Sequence, residues 1–307
     1  MAHRKLQRKV QSLPLSLIGF QEPERPLKTH HNKIHMIDSE ISWTDNTWNP
    51  WIGCTRVSAE CDRCYAASTD ARYGYTPHGW GRGKPRKLTS AQNWSLPIRW
   101  NREAGIDGIR RKVFCASLAD VFDTEVPDEW RARLFELIDS TPQLDWQLLT
   151  KRANQIRPAL EKIGVWKKLP LPNVWLGFSA GNQKFFDLRW PLVREVPALV
   201  RFVSYEPALG PLRLPLDVRG NLHWLIAGGE TSMRRNESRH MEPDWARSVR
   251  SQCHHLGVAF WFKQTGNRIK DETGEPRWYG KSSTFYKEHY ELLDGVKHQE
   301  FPQIAAQ

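Results

Sequence analysis

Trp43-Thr-Asp-Asn-Thr-Trp-Asn-Pro-Trp-Ile-Gly-Cys54-Thr-Arg-Val-Ser-Ala-Glu-Cys61-Asp-Arg-Cys64-Tyr65 holds three of the chain's five cysteines within eleven residues, spaced C-x6-C-x2-C. Two thiolates separated by two residues can turn toward one ion, and the six-residue loop can bring the third to the same centre. Three thiolates can hold three irons of a four-iron cluster and leave the fourth iron open. Structural clusters and many structural zinc sites use four ligands, so three cysteines point to chemistry rather than scaffolding. The spacing alone leaves iron–sulfur and zinc equally open, with His78 or Cys115 available as a fourth zinc ligand. A disulfide framework does not suit: the cysteines are sparse, odd in number and not preceded by a secretion signal.

The composition around this loop is globular, with 39% hydrophobic and 26% charged residues among 307. That length suits one large α/β barrel or two ordinary domains. No apolar run is long enough for a membrane span, so a cytoplasmic location is expected. The net charge of +11 favours polyanionic partners, nucleic acid first. Nearly half of that excess lies in residues 1–35, where Arg4, Lys5, Arg8, Lys9, Arg25, Lys28 and Lys33 face only Glu22 and Glu24. Residues 1–37 lack steady periodicity and read as a basic, disordered extension, with Met36 an alternative start; residues 38–307 read as a single barrel domain. Fifteen tryptophans are better explained by buried packing than by base stacking.

Ile41–Trp43 reads as a strand, Tyr65–Tyr73 as a helix, and 89–104 as a helix interrupted at Pro97. Between the helices, His78–Lys87 is basic and rich in glycine. It could hold phosphate, although a solvated loop is the simpler reading because no P-loop spacing is present. From residue 112 short apolar runs recur at Val113–Leu118, Trp146–Leu149, Val174–Phe178, Arg201–Ser204, Trp224–Ala227 and Ala259–Phe262. Continuous apolar runs of this length suit strands covered on both faces. Helical stretches intervene: Trp130, Leu134, Leu137 and Ile138 share one face, as do Trp245, Val249, Cys253 and Leu256. Cys253 and Cys115 therefore read as core. The alternation predicts an α/β fold of about seven parallel strands in a partial or full (β/α) barrel, with a doubly wound open sheet as the alternative.

Each of the later strands ends in polar residues. Asp120 follows the first, Lys151 and Arg152 the second, Ser179 and Asn182 the third, and Glu206 the fourth. Gly228, Gly229 and Glu230 follow the fifth, and Lys263 and Gln264 the sixth. Each has an ordinary explanation as turn, cap or surface charge, but six in succession point to a converging site at the carboxyl ends of barrel strands. Asp120, Lys151, Glu206 and Lys263 are the candidate catalytic residues. Ser179, Asn182, Gly228, Gly229 and Glu230 are the candidates for holding a cofactor.

Ile41-Ser-Trp-Thr-Asp-Asn-Thr-Trp-Asn-Pro50, Gly53-Cys54, Cys61-x-x-Cys64-Tyr65-Ala66, Leu149-Thr-Lys-Arg152, Trp175-Leu-Gly-Phe-Ser179, Tyr205-Glu-Pro-Ala-Leu-Gly-Pro211, Ala227-Gly-Gly-Glu230 and Phe262-Lys-Gln264 together resemble the three-Cys-motif proteins of phages and bacteria. That family is a domain of unknown function similar to a divergent branch of the radical S-adenosylmethionine (SAM) enzymes. The resemblance spans roughly residues 38–266. It implies a radical-SAM or TIM-like barrel in which Cys54, Cys61 and Cys64 hold a [4Fe-4S] cluster whose open iron binds SAM. It also implies reduction by a flavodoxin or ferredoxin, and a 5′-deoxyadenosyl radical that abstracts hydrogen from a substrate. The chain departs from the superfamily's usual C-x3-C-x2-C spacing. It places Arg63 where an aromatic residue usually precedes the last cysteine, and its Gly-Gly-Glu follows a late strand rather than the second. The basic loop at Arg82–Lys87 and the pair Arg234 and Arg235 favour a nucleic acid or nucleotide substrate. A non-catalytic zinc-bearing nucleic-acid-binding protein is the alternative from another class.

Overall fold

The expected strands place their inward side chains next to one another only if the sheet closes around them, and the computed structural model shows how far it does. It describes residues 39–232, 237–270 and 273–303. The basic extension and the Arg234/Arg235 pair lie outside these residues. Strand β1 (Asn46–Trp48) is followed by a short antiparallel pair, β2 (Trp51–Ile52) with β3 (Lys87–Leu88). Then come β4 (Arg111–Cys115), β5 (Leu144–Thr150), β6 (Val174–Ser179), β7 (Val200–Tyr205), β8 (Trp224–Gly228) and β9 (Ala259–Gln264). A hairpin of β10 (Arg268–Lys270) and β11 (Pro276–Trp278) closes the series. The helices are α1 (Tyr65–Tyr73), α2 (Ala91–Asp107), α3 (Asp128–Asp139), α4 (Ala153–Lys162), α5 (Gln183–Arg194), α6 (Pro243–Leu256) and α7 (Thr284–His289). Among the described residues no helix is long and apolar enough to cross a membrane.

Seven strands form one parallel sheet in the order β1-β4-β5-β6-β7-β8-β9. This order never reverses, which excludes the doubly wound alternative, where a reversal makes the switch point. With right-handed crossovers every connecting helix lies on the same face. The sheet then curls around its other face, giving a partial (β/α) barrel.

Alternation along the strands divides the core in two. Val113, Cys115, Leu176, Phe178, Val203, Tyr205, Phe260 and Phe262 belong to the larger core with the helices. Phe114, Trp175, Phe202, Trp224, Ile226 and Trp261 belong to a second core inside the curl, joined there by Trp43. Trp224 stands at its centre, edge-on to Trp43, Trp175 and Trp261 with ring centroids 6.1, 5.9 and 6.0 Å away. The C-terminal segment closes the floor. It pairs with β9 through His298 O and Glu300 N, Glu300 O accepts from Trp224 Nε1 at 2.8 Å, and Phe301 packs in tilted ring contacts against Trp224 and Trp261. Tryptophan is used for packing here, as the sequence implied.

Two local expectations change. Ile41–Trp43 is not a strand: Thr44 N returns to Ile41 O in a turn, which sends Trp43 into the barrel floor, and the first strand begins at Asn46. Pro97 does not interrupt α2. A proline has no N–H for the carbonyl one turn back, and that carbonyl, Asn93 O, instead accepts from Trp48 Nε1 at 2.9 Å. The helix and the first strand are thereby joined. Cys253 and Cys115 are both fully buried core residues, as expected.

Gly177 shows how tightly the inner face is filled. A methyl group at this position would lie 2.2 Å from the Phe202 ring, which occupies the space a side chain would need. Gly177→Ala is expected to destabilise the fold by roughly 1–3 kcal/mol through overpacking. Adding Phe202→Leu should recover part of that loss in urea denaturation, and an additive double variant would show that the two positions do not compete for space.

Candidate functional site

The cysteine loop runs from β2 to α1 and carries Cys54, Cys61 and Cys64 as free, half-buried thiols. Its entry is fixed by Gly53, whose φ of +114° few side chains adopt and where a β-carbon would meet Arg86 at 3.0 Å. Three charged anchors then tie the loop to the carboxyl ends of the strands.

At the first anchor Arg152, just past β5, donates to Cys54 Sγ at 3.4 Å, to Thr55 O at 2.7 Å and to Asp120 Oδ2 at 2.9 Å. Asp120 also accepts from Thr150 Oγ1, Lys151 N and Phe122 N. Arg86 binds Asp123 through both Nε and Nη2 and reaches Thr55 Oγ1 at 2.6 Å. At the second, Glu60 is fully buried and accepts from Arg189 Nη1 at 2.8 Å, from Gly181 N at 2.8 Å and from the Ser58 hydroxyl. Arg189 also donates to Ser179 O at 2.6 Å. At the third, Glu230 accepts from Arg239 and, at 3.4 Å, from Arg63, while Arg239 donates to Ala59 O. Tyr65 O–H donates to Ser117 O at 2.7 Å. The loop is thus tied to the ends of β4, β5, β6 and β8.

The remaining candidates divide by what they touch. Lys151 Nζ donates to Ser179 Oγ at 3.2 Å, and no carboxylate among the described residues pairs with it. Glu206 and Lys263 form an ion pair at 2.7 Å, each about four-fifths buried. Gln264 donates to the same Glu206 oxygen, and Tyr286 donates to Gln264. Asn182 caps α5 by accepting from Phe185 N. Gly228 leaves room for the Glu206 side chain, and Gly229 lets Thr265 O approach to where a β-carbon would be, 2.1 Å away. The structure therefore brings Lys151, Glu206 and Lys263 to the strand ends as partly exposed side chains, with Ser179 buried beside Lys151. Asp120 and Glu230 are instead occupied in holding the loop.

Burial pushes the Cys54 thiol up to about 12, reinforced by the Asp120 carboxylate and opposed by Arg152. Among the described residues no three His, Cys, Asp or Glu side chains are gathered as a metal-holding group. In its chemistry the donor set still fits a thiophilic metal or cluster: three free thiols on one loop, with a guanidinium beside Cys54. Neither suggested fourth zinc ligand joins them. Cys115 lies within the helix-side core, and His78 is exposed.

The basic loop is largely a correction. Arg86 is buried in its pair with Asp123 and Lys87 donates to Tyr75 O, so half of the charges expected to face phosphate hold the protein together instead. Arg82 and Lys84 are exposed. Glu60, Asp123, Arg189 and Arg239 went unread in the sequence, and Arg86 was read as a phosphate contact. Arg189 could have been found, since it shares the buried face of α5 with Phe186, Trp190 and Val193, where a charge demands a partner.

The chain belongs to a family described as protein of unknown function (DUF5131), whose model matches residues 38–302. No curated protein matches it. Among solved structures, a spore photoproduct lyase variant with bound AdoMet and dinucleoside spore photoproduct is similar to it at 11% identity and a TM-score of 0.43. The match covers 81% of this chain and 72% of that one.

Two measurements test the site's construction. Glu60→Ala leaves Arg189 buried without a counter-charge and is expected to cost roughly 3–5 kcal/mol, while Glu195→Ala on the surface should leave the urea midpoint unchanged. A loss at Glu60 below about 1 kcal/mol would show that the anchor does not bear on the fold. In metal-free protein at pH 8, Cys54 should alkylate far more slowly than free cysteine, because a raised pKa leaves little thiolate. The gap should narrow as the pH rises toward 10, and equal rates at pH 8 would contradict the burial of this thiol.

Proposed function

We propose that this protein is an iron–sulfur enzyme of radical SAM type, in which Cys54, Cys61 and Cys64 ligate a [4Fe-4S] cluster. The observation that carries this reading is the placement of three free thiols on one loop, tied by buried and half-buried ion pairs to the carboxyl mouth of a partial barrel. Such a cluster, reduced by a flavodoxin- or ferredoxin-type donor, supplies the electron that cleaves SAM. The chain's own residues supply the rest of the site. Lys151, whose ammonium meets the Ser179 hydroxyl and no carboxylate among the described residues, is suited to a carboxylate. Ser179 adds a hydrogen bond, and the Glu206–Lys263 pair offers an acid and a base at the same mouth. Asp120 and Glu230 position the loop rather than touch the reacting atoms. A nucleic acid or nucleotide is the substrate class favoured by the exposed Arg82 and Lys84 and by the mild basicity of the folded part.

Protein isolated without oxygen should contain iron and sulfide in near-equal amounts. Each of Cys54→Ala, Cys61→Ala and Cys64→Ala should lose the iron, since three thiolates are all needed. Cys253→Ala should keep it and cost one to a few kcal/mol of packing. With reductant and SAM the wild type should form 5′-deoxyadenosine slowly. Stoichiometric zinc without iron would establish the zinc-bearing alternative, and a fully loaded cluster that neither binds nor cleaves SAM would leave electron transfer or sensing as the role.

A further inference from the structure

We infer that Arg152 is a positioning residue that sets the reduction potential of the metal centre through Cys54, with Asp120 as its opposing partner. This inference rests on the proposed cluster reading. The potential of a thiolate-bound cluster depends on hydrogen bonds to its sulfurs, on nearby charge and on solvent exposure. Among the described residues, Cys54 is the one of the three thiols with a cation in hydrogen-bond contact: Arg152 Nη1 lies 3.4 Å from its sulfur. The same Nη1 binds Asp120 at 2.9 Å, and Nη2 reaches Thr55 O at 2.7 Å. The guanidinium is thus clamped on both sides and its direction is fixed.

The charges behind it make the effect signed. Asp120 and Asp123 also contact Arg152, at 2.9 and 3.5 Å, and both are buried. Arg86 in turn binds Asp123 and reaches Glu125 at 3.3 Å. Arg152 therefore links the sulfur to two carboxylates, and a single nitrogen, Nη1, is shared between Cys54 and Asp120. Its N–H groups stabilise the extra negative charge of the reduced state and raise the potential. Asp120 stabilises the guanidinium and opposes it. A residue with a merely structural role would not shift the potential in opposite directions when each member of the pair is neutralised.

The test is an EPR-monitored redox titration of the full chain, anaerobically loaded, with iron content measured for every variant. Arg152→Gln should lower the midpoint enough to change the ratio of reduced to oxidised cluster at fixed potential about tenfold, ~59 mV for one electron. Arg152→Lys, which keeps the charge without the planar fork, should fall between. Asp120→Asn should move the midpoint upward. If Arg152→Gln does not load, Asp120→Asn decides alone: an upward shift supports the inference, and an unchanged or lowered midpoint overturns it. Loaded variants with wild-type midpoints, or shifts of the same sign for both residues, also overturn it while leaving the cluster reading intact. Absence of iron from the wild type removes both.

Discussion

A parallel sheet whose strands follow chain order carries all its helices on one face, and its other face must be filled by the sheet itself. That constraint governs this molecule. Seven strands curl without reversal, and the concave side would be a void or a water channel if the side chains there were small. Trp43, Trp175, Trp224 and Trp261 fill the lower part with edge-on ring contacts, a geometry aromatic quadrupoles favour. The C-terminal segment adds Phe301 beneath them. A solid floor makes the barrel one-ended, so whatever the interior does must happen at the carboxyl mouth.

At that mouth the packing logic changes from apolar to ionic. Glu60 with Arg189, Arg152 with Asp120, and Arg86 with Asp123 are all withdrawn from water. Desolvating such charges can cancel the attraction between them, so they are poor sources of net stability. What they provide is register. Each joins the cysteine loop or its immediate support to a different strand end, and an eleven-residue loop whose regular structure is one 3-10 turn at Ala59–Cys61 has few other means of holding its three thiols.

The sequence made the strands legible because each was a continuous apolar run, and six of the seven fell where those runs lie. The first strand was misplaced because Ile41–Trp43 and Asn46–Trp48 look alike in composition, and only the turn at Thr44 separates them. Pro97 misled for a related reason: local propensity shows the lost hydrogen bond but not the indole that replaces it. The polar strand ends were recognised as a set. Their division into loop anchors and open mouth residues depends on partners from other elements, 32 positions apart for Asp120 and Arg152 and 57 for Glu206 and Lys263. No local pattern encodes such a pairing.

The same distance hid the meaning of the net charge. A basic chain invites a polyanionic partner, yet Arg86, Arg131, Arg152 and Arg189 are buried and committed to carboxylates or backbone carbonyls. Arginine rather than lysine suits every one of these positions. A planar fork can satisfy several acceptors at once, as Arg152 does with a sulfur, a carbonyl and a carboxylate. An ammonium at the same place would have to choose among them. Lysine appears instead where the contact is open, at Lys151 beside a single hydroxyl. Closed guanidinium clamps around the loop, and an ammonium at the mouth that meets a hydroxyl and no carboxylate among the described residues, therefore separate the residues that hold the site from those able to meet a ligand.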